Sequence, residues 1–190
     1  MTENPTKPGK QRWMLLLLVA VCAAPILASY LTYYFWKPQG GRTYGELLEV
    51  KPVPAFPQQT LEGKPAGLAD FKGKWVLVMS DDVTCAKSCM DALFAMRQFR
   101  LGQGKEMERV TRLWLVRGEG MPSSAAVSAA DGATIHRIGA EAVPLPGDVN
   151  AGIYLIDPLG NQVIRYPRSA DGVKVIREIA KFLKNNVNIG

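Results

Sequence analysis

The sequence predicts an α/β protein: a mixed β-sheet with helices on both faces, preceded by one N-terminal transmembrane helix. Three stretches carry that prediction. Residues 13–36 are one uncharged apolar run. Residues 75–99 read as a buried strand, a polar turn and a helix that opens on two cysteines. Residues 152–183 read as a β-hairpin followed by a strongly periodic helix. Strand-helix-strand units, then a hairpin and a final helix, are the element order of a mixed sheet with helical layers.

The first stretch, WMLLLLVAVCAAPILASYLTYYFW from Trp13 to Trp36, is long enough to cross a hydrocarbon core of about 30 Å. Lys7, Lys10 and Arg12 precede it and few basic residues follow at once. That asymmetry places residues 1–12 in the cytoplasm and the remainder outside, as a single-pass protein of a bacterial inner membrane with a periplasmic domain. Trp13 at one end, and Tyr30, Tyr33, Tyr34, Phe35 and Trp36 at the other, read as interfacial aromatic belts. A cleaved signal peptide with Met14 to Ala28 as its apolar region is the rival reading. The apolar run continues past any such cleavage site, which favours a retained anchor. Cys22 reads as a small apolar filler of the span.

Residues 37–52 are expected to be a linker, opening on KPQGGR. Residues 53–190 then match one domain of ordinary size. Val53 to Pro57 is punctuated by proline and reads as an extended edge. Gln59 to Leu61 reads as a short strand, and LADFKGK (68–74) as a helical turn leading into the central strand. That strand, Trp75 to Met79, is a continuous Val-rich run of the kind covered on both faces. Ser80, Asp81 and Asp82 are expected to break it. Val110 to Val116 is the next strand and Met121 to Ala130 a helix. VPLPGD (143–148) is a loop, Gly152 to Asp157 a strand, 158–161 a turn, and Gln162 to Tyr166 the paired strand. The closing helix starts near Asp171, with the stripe Val173, Ile176, Ile179, Ala180, Leu183.

A net charge of +6 over 190 residues is modest and contains no basic run, and no nucleic-acid motif is present. Three cysteines, two of them beyond the span, leave at most one bridge within the domain. That excludes a disulfide-stapled scaffold.

Those two, Cys85 and Cys89, carry the chemistry. Thr84 is a plausible N-cap, and Cys85, Cys89, Ala92, Leu93, Met96 and Phe99 have helical spacing. Thiols at i and i+4 of a helix share a face with Cβ atoms about 5–6 Å apart. The pair can close as a disulfide or open as two convergent sulfur ligands. A helix N-terminus and Lys87 both favour the thiolate, and a soft thiolate pair suits Cu(I). The turn lies at the carboxyl end of a strand, where open α/β sheets place their sites. Cys85 is expected to be the more exposed, attacking thiol. Asp81 and Asp82 fit turn and capping roles. Met79, Met90, Met96 and Met121 are thioethers, the helical ones fitting a core.

The anchor, then LEGKPAGLADFKGKWVLVMS, then Cys-x-x-x-Cys, then GIYLIDPLGN resembles the Sco/SenC family, membrane-anchored thioredoxin-fold proteins that assist copper loading of cytochrome c oxidase. The similarity covers most of residues 53–185. It implies a thioredoxin-like domain, copper as Cu(I) or Cu(II), the apo copper-bearing oxidase subunit as partner, and Cys85 and Cys89 as the family's thiols and metal ligands. The family's third ligand, a histidine, falls at about Val149 and is absent. The proline that usually follows the first cysteine is Ala86. His136, the only histidine, is the one residue available as a substitute ligand; a strand or surface position with no catalytic part is the plainer reading. Three functions follow: a thiol-redox or copper assembly factor for the oxidase, a general thiol-disulfide oxidoreductase without metal, or a binding module braced by a structural bridge.

Overall fold

The structure, a computed structural model, describes residues 8–35, 43–139 and 143–186. It divides into two units, each taken by itself. The first contains helix α1, Pro8–Phe35. Its stretch Arg12–Thr32 is long and apolar enough to cross a membrane, and Leu15 to Leu18 are exposed on it, as lipid-facing side chains would be. Pro25 sits inside this helix, a substitution that spanning helices tolerate. Trp36, the end of the expected span, and the tail at residues 1–7 lie outside the described residues, as do residues 37–42.

The second unit starts at Thr43. Eight strands form one sheet in the order β1-β8-β7-β4-β5-β6-β2-β3. They are β1 Glu46–Pro52, β2 Gln58–Thr60, β3 Pro65–Ala66, β4 Trp75–Asp82, β5 Val110–Arg117, β6 Thr134–Ile138, β7 Gly152–Ile156 and β8 Asn161–Pro167. Helix α2 is Lys87–Leu101, α3 is Ser124–Ala130 and α4 is Gly172–Asn185. β4, β5 and β6 run parallel, and β7 lies antiparallel to β4. The central position of β4 matches its continuous apolar sequence, since residues 75–80 are all buried.

The mixed sheet and its helices agree with the sequence reading, but the helices are distributed unevenly. β4-α2-β5 and β5-α3-β6 are successive crossovers moving in one direction across the sheet. Right-handed connections of that kind deliver both helices to the same face. There Cys89, Leu93, Met96 and Phe99 of α2, Ala126 of α3, and Val175 and Ile179 of α4 pack on Leu77, Met79, Trp114 and Val116. On the other face Val76, Val78, Leu113, Leu115 and Tyr154 are covered by Val53, Phe56, Leu68, Phe71 and Val149. The helical cover expected on that side is reduced to single 3-10 turns at Leu68–Phe71 and Val149–Ala151.

Two boundaries are corrected. The linker expected through residue 52 ends earlier, because Glu46–Pro52 is strand β1, paired antiparallel with β8. Glu178 of α4 clasps the chain just before it, accepting from Tyr44 N–H at 2.7 Å and Gly45 N–H at 3.1 Å. β4 also runs on through Ser80, Asp81 and Asp82, because each of them still pairs with β5.

Candidate functional site

The site forms where β4 ends. Val83 N–H donates to Arg117 O at 2.8 Å, so the chain leaves the sheet still tied to β5. Asp82 then organises the turn. Its Oδ1 accepts from Thr84 N–H at 3.0 Å and its carbonyl from Cys85 N–H at 3.1 Å. The hydrogen bonds from Thr84 hold the Asp82 carboxyl below the usual carboxylate range. Asp82 thus shapes the loop, in keeping with the turn role read from sequence.

Cys85 and Cys89 are joined as a disulfide, with Cα atoms 5.1 Å apart. The geometry differs from the expectation in three respects. Cys85 is not helical: α2 begins at Lys87, its N-cap is Ala86, and no side chain caps it, Thr84 included. Cys85 instead has φ of 38°, the sole positive value for a non-glycine among the described residues. Such a conformation costs on the order of 1–3 kcal/mol and occurs where the surroundings over-determine it. Finally, the sulfurs are not presented to solvent. Cys85 is 3% exposed and Cys89 fully buried, because Cys89 faces the helix-covered core. The sequence neighbours of Cys85, namely Thr84, Ala86, Lys87 and Ser88, are all exposed.

Cys89 lies in the first turn of α2, where the helix dipole favours a thiolate once the bridge is reduced. Lys87 does not add to that effect as expected, since its Nζ pairs with Asp91 at 2.8 Å. Met79 and Met96 are core residues, Met90 packs against the same core and Met121 is exposed.

His136 lies on the wrong side of the sheet for a ligand. It pairs in register with Leu115, whose side chain belongs to the face opposite the cysteines. Its Nδ1 is 2.9 Å from Gln58 Oε1 and its ring 5.7 Å from that of Phe71. Burial pushes the imidazole below its ordinary pKa, so it is a neutral core histidine. Val149, where the family histidine was expected, packs on that same far face. Among the described residues no group of three or more His, Cys, Asp or Glu side chains is placed to hold a metal. The donor set therefore does not fit a resident copper centre; two sulfurs are all that reduction would release.

One residue of the site carries no sequence signal. Arg168, in the segment after β8, places Nη1 2.5 Å from Asp81 Oδ2 and Nη2 2.8 Å from Ser80 O. It clamps the end of β4 from 87 residues away in the chain, a separation that no local pattern reveals.

The comparisons with known proteins agree with this architecture. Residues 75–186, more than half of the chain, match the model of the family described as transmembrane-like, thioredoxin-like, C-terminal domain. No curated protein sequence matches the chain. Among solved structures it is similar to yeast Sco1 with copper bound, at 15% identity and TM-score 0.56, covering 72% of this chain and 95% of that one. It is similar to apo Sco1 from Thermus thermophilus at 21% identity and TM-score 0.53, covering 77% and 98%. A putative thioredoxin from Neisseria meningitidis matches at 19% identity and TM-score 0.52, covering 73% and 93%. At these identities the likeness establishes the thioredoxin-like fold and does not separate the Sco from the thioredoxin branch. With its N-terminal apolar helix, its central strand at Trp75 and its cysteine pair at the mouth of α2, the chain belongs to the transmembrane-like, thioredoxin-like C-terminal domain family.

Proposed function

We propose that this protein is a membrane-anchored thiol-disulfide redox factor, held by α1 in a bacterial inner membrane with residues 1–12 cytoplasmic and the folded domain periplasmic. The observation that carries the reading is Cys85. A disulfide-bonded residue in a left-handed conformation, at the carboxyl end of the central parallel strand and flanked by exposed residues, is a bridge suited to opening. In the reduced state the Cys85 thiolate attacks a disulfide of the partner, forming a mixed disulfide and releasing one partner thiolate. Cys89 then attacks Cys85, releasing the second. Two electrons pass to the partner, which leaves as a dithiol, and this chain is left as the Cys85–Cys89 disulfide. A dithiol donor resets it.

The Sco resemblance supports a particular partner, the apo copper-bearing subunit of cytochrome c oxidase, whose cysteines must be reduced before they take metal. It also supports a second reading in which the reduced pair carries Cu(I) as cargo between two sulfurs, copper being what yeast Sco1 was solved with. The missing third donor makes thiol exchange the better-supported activity.

The test is a redox titration of the full-length protein in detergent micelles, equilibrated in glutathione buffers and read by thiol labelling. A catalytic bridge titrates above about −300 mV; a structural one lies below it. A value below that limit, with no labelling of native protein by a small dithiol and alkylating agent, leaves Cys85–Cys89 as a brace. Cu(I) titration of the reduced protein addresses the cargo. Near one-to-one binding that is lost in Cys85→Ser supports it, and no binding leaves the redox activity alone.

A further inference from the structure

A recess lies at the other end of the sheet from the cysteine loop. It measures about 360 Å³ and sits between the starts of β4 and β5, the last turn of α2 and the end of α3. Lys74, Arg97, Arg100 and Arg112 line it, with Glu108 and Asp131. Arg100 Nη2 donates to Glu108 Oε1 at 2.9 Å, and Arg97 Nη2 to Asp131 Oδ2 at 3.0 Å. Four cations against two carboxylates leave two positive charges uncompensated by acid.

Arg112 is the unusual member. It is only 4% exposed, deep for a charge that costs several kcal/mol to desolvate unless paired. Its Nη1 donates to Ala130 O at 3.3 Å and its Nη2 to Asp131 O. Those bonds cap the last carbonyls of α3, a structural role that accounts for both terminal nitrogens. They do not account for Nε, which is buried without a partner. Burial, reinforced by the neighbouring charges of Arg100 and Arg97, holds the guanidinium below its ordinary pKa, and Asp131 offsets this in part. A recess that gathers four cations around two carboxylates is an arrangement that an anion completes.

We propose that this recess is a binding site for a small oxyanion of the phosphate or carboxylate class, which balances the two positive charges that Glu108 and Asp131 leave over. The site is concave, which suits a free ion and keeps a flat lipid surface from reaching Arg112. It is independent of the thiol chemistry, being built from different residues at the opposite ends of the central strands.

The test uses full-length protein in detergent micelles, titrated with inorganic phosphate against chloride at matched ionic strength, with binding read by calorimetry and by the thermal midpoint. Saturable binding of phosphate above chloride is expected. Arg97→Gln, at a side chain that is 42% exposed and so tolerant of change, should weaken it about tenfold, as for one lost charge-assisted bond. Asp131→Asn should tighten it several-fold by removing the competing carboxylate, a direction that a merely structural role cannot produce. Three results overturn the proposal: phosphate indistinguishable from chloride, Asp131→Asn weakening binding as Arg97→Gln does, or binding confined to phosphatidylglycerol vesicles with none to free phosphate.

Discussion

Replacing Arg168 by methionine tests whether the end of β4 is held from outside the cysteine segment. The substitution keeps much of the aliphatic stem and deletes the guanidinium. Asp81 then keeps one donor, the Asp82 N–H at 2.7 Å, and Ser80 O loses its bond from Arg168. Side-chain exposures of 16% and 20% make this a mostly buried ion pair. Stranding one partner of a fully buried pair costs about 3–5 kcal/mol. Residual solvent access at Asp81 lowers that, and a loss of about 2–3 kcal/mol is expected. For a domain of this size that is a fall of roughly 5–10 °C in Tm.

The assay is urea denaturation of the full-length protein in micelles, followed through the buried indoles of Trp75 and Trp114. A double-mutant cycle with Asp81→Asn isolates the pair. The double variant should lose little more than Arg168→Met alone, giving a coupling of about 1–2 kcal/mol. Because Val83–Ala86 hangs from the clamped strand end, reduction of Cys85–Cys89 by a small dithiol should also quicken several-fold. An Arg168→Met protein within about 0.5 kcal/mol of wild type, with an unchanged reduction rate, would refute the clamp.

Three further outcomes are expected. His136 has its pKa lowered by burial, so as pH falls the unfolded chain binds this proton first, near its ordinary value of about 6.5. The stability is full above that pH and declines below it, by up to about 1.4 kcal/mol per pH unit; His136→Gln should flatten the slope of urea midpoints between pH 7 and 5.5. Gly45→Ala puts a Cβ 2.7 Å from Tyr166 Cε1 and 2.8 Å from Ile164 Cγ1, and should cost about 1–3 kcal/mol by overpacking. A true linker at this position would register no change in the same denaturation curve. Reduction of the native bridge by dithiol should proceed at a rate nearly independent of urea below the unfolding transition; a rate that climbs with the slope of global unfolding would show that only the unfolded chain reacts.

What could be read from the sequence follows from where signals are local. β4, the β7–β8 hairpin and α4 show themselves because burial on both faces, tight turns and a helical stripe each leave a pattern within a few residues. β1 leaves none: only Leu48 in it is buried, so an edge strand reads as a linker. The cysteines are legible as a pair, and their position after β4 is legible too. The left-handed backbone at Cys85 is not, because the Asp82 turn and the reach of the bridge to Cys89 impose it jointly. The face on which His136 points depends on its register with Leu115, a long-range fact. Arg168 is a third case of the same kind, a contact across most of the domain.

Burial of the disulfide is compatible with exchange because opening the loop is a smaller event than unfolding the domain. Ala86 stays bonded to α2 through Cys89 N–H and Met90 N–H, while three backbone N–H donors hold residues 83–85: Val83 N–H to Arg117 O, Thr84 N–H to Asp82 Oδ1, and Cys85 N–H to Asp82 O. Each contributes about 1 kcal/mol net. Lifting Cys85 from the core adds roughly 1 kcal/mol of apolar exposure, and relief of its left-handed φ returns about as much. The sum is about 3 kcal/mol, an open fraction of roughly one in two hundred, against a global stability of about 5–15 kcal/mol for ordinary domains. An attacking thiolate therefore meets an opened bridge far more often than an unfolded chain. Most of the surface of α2 and the whole of β4 can stay in place while it does, which is the motion that the proposed thiol exchange requires.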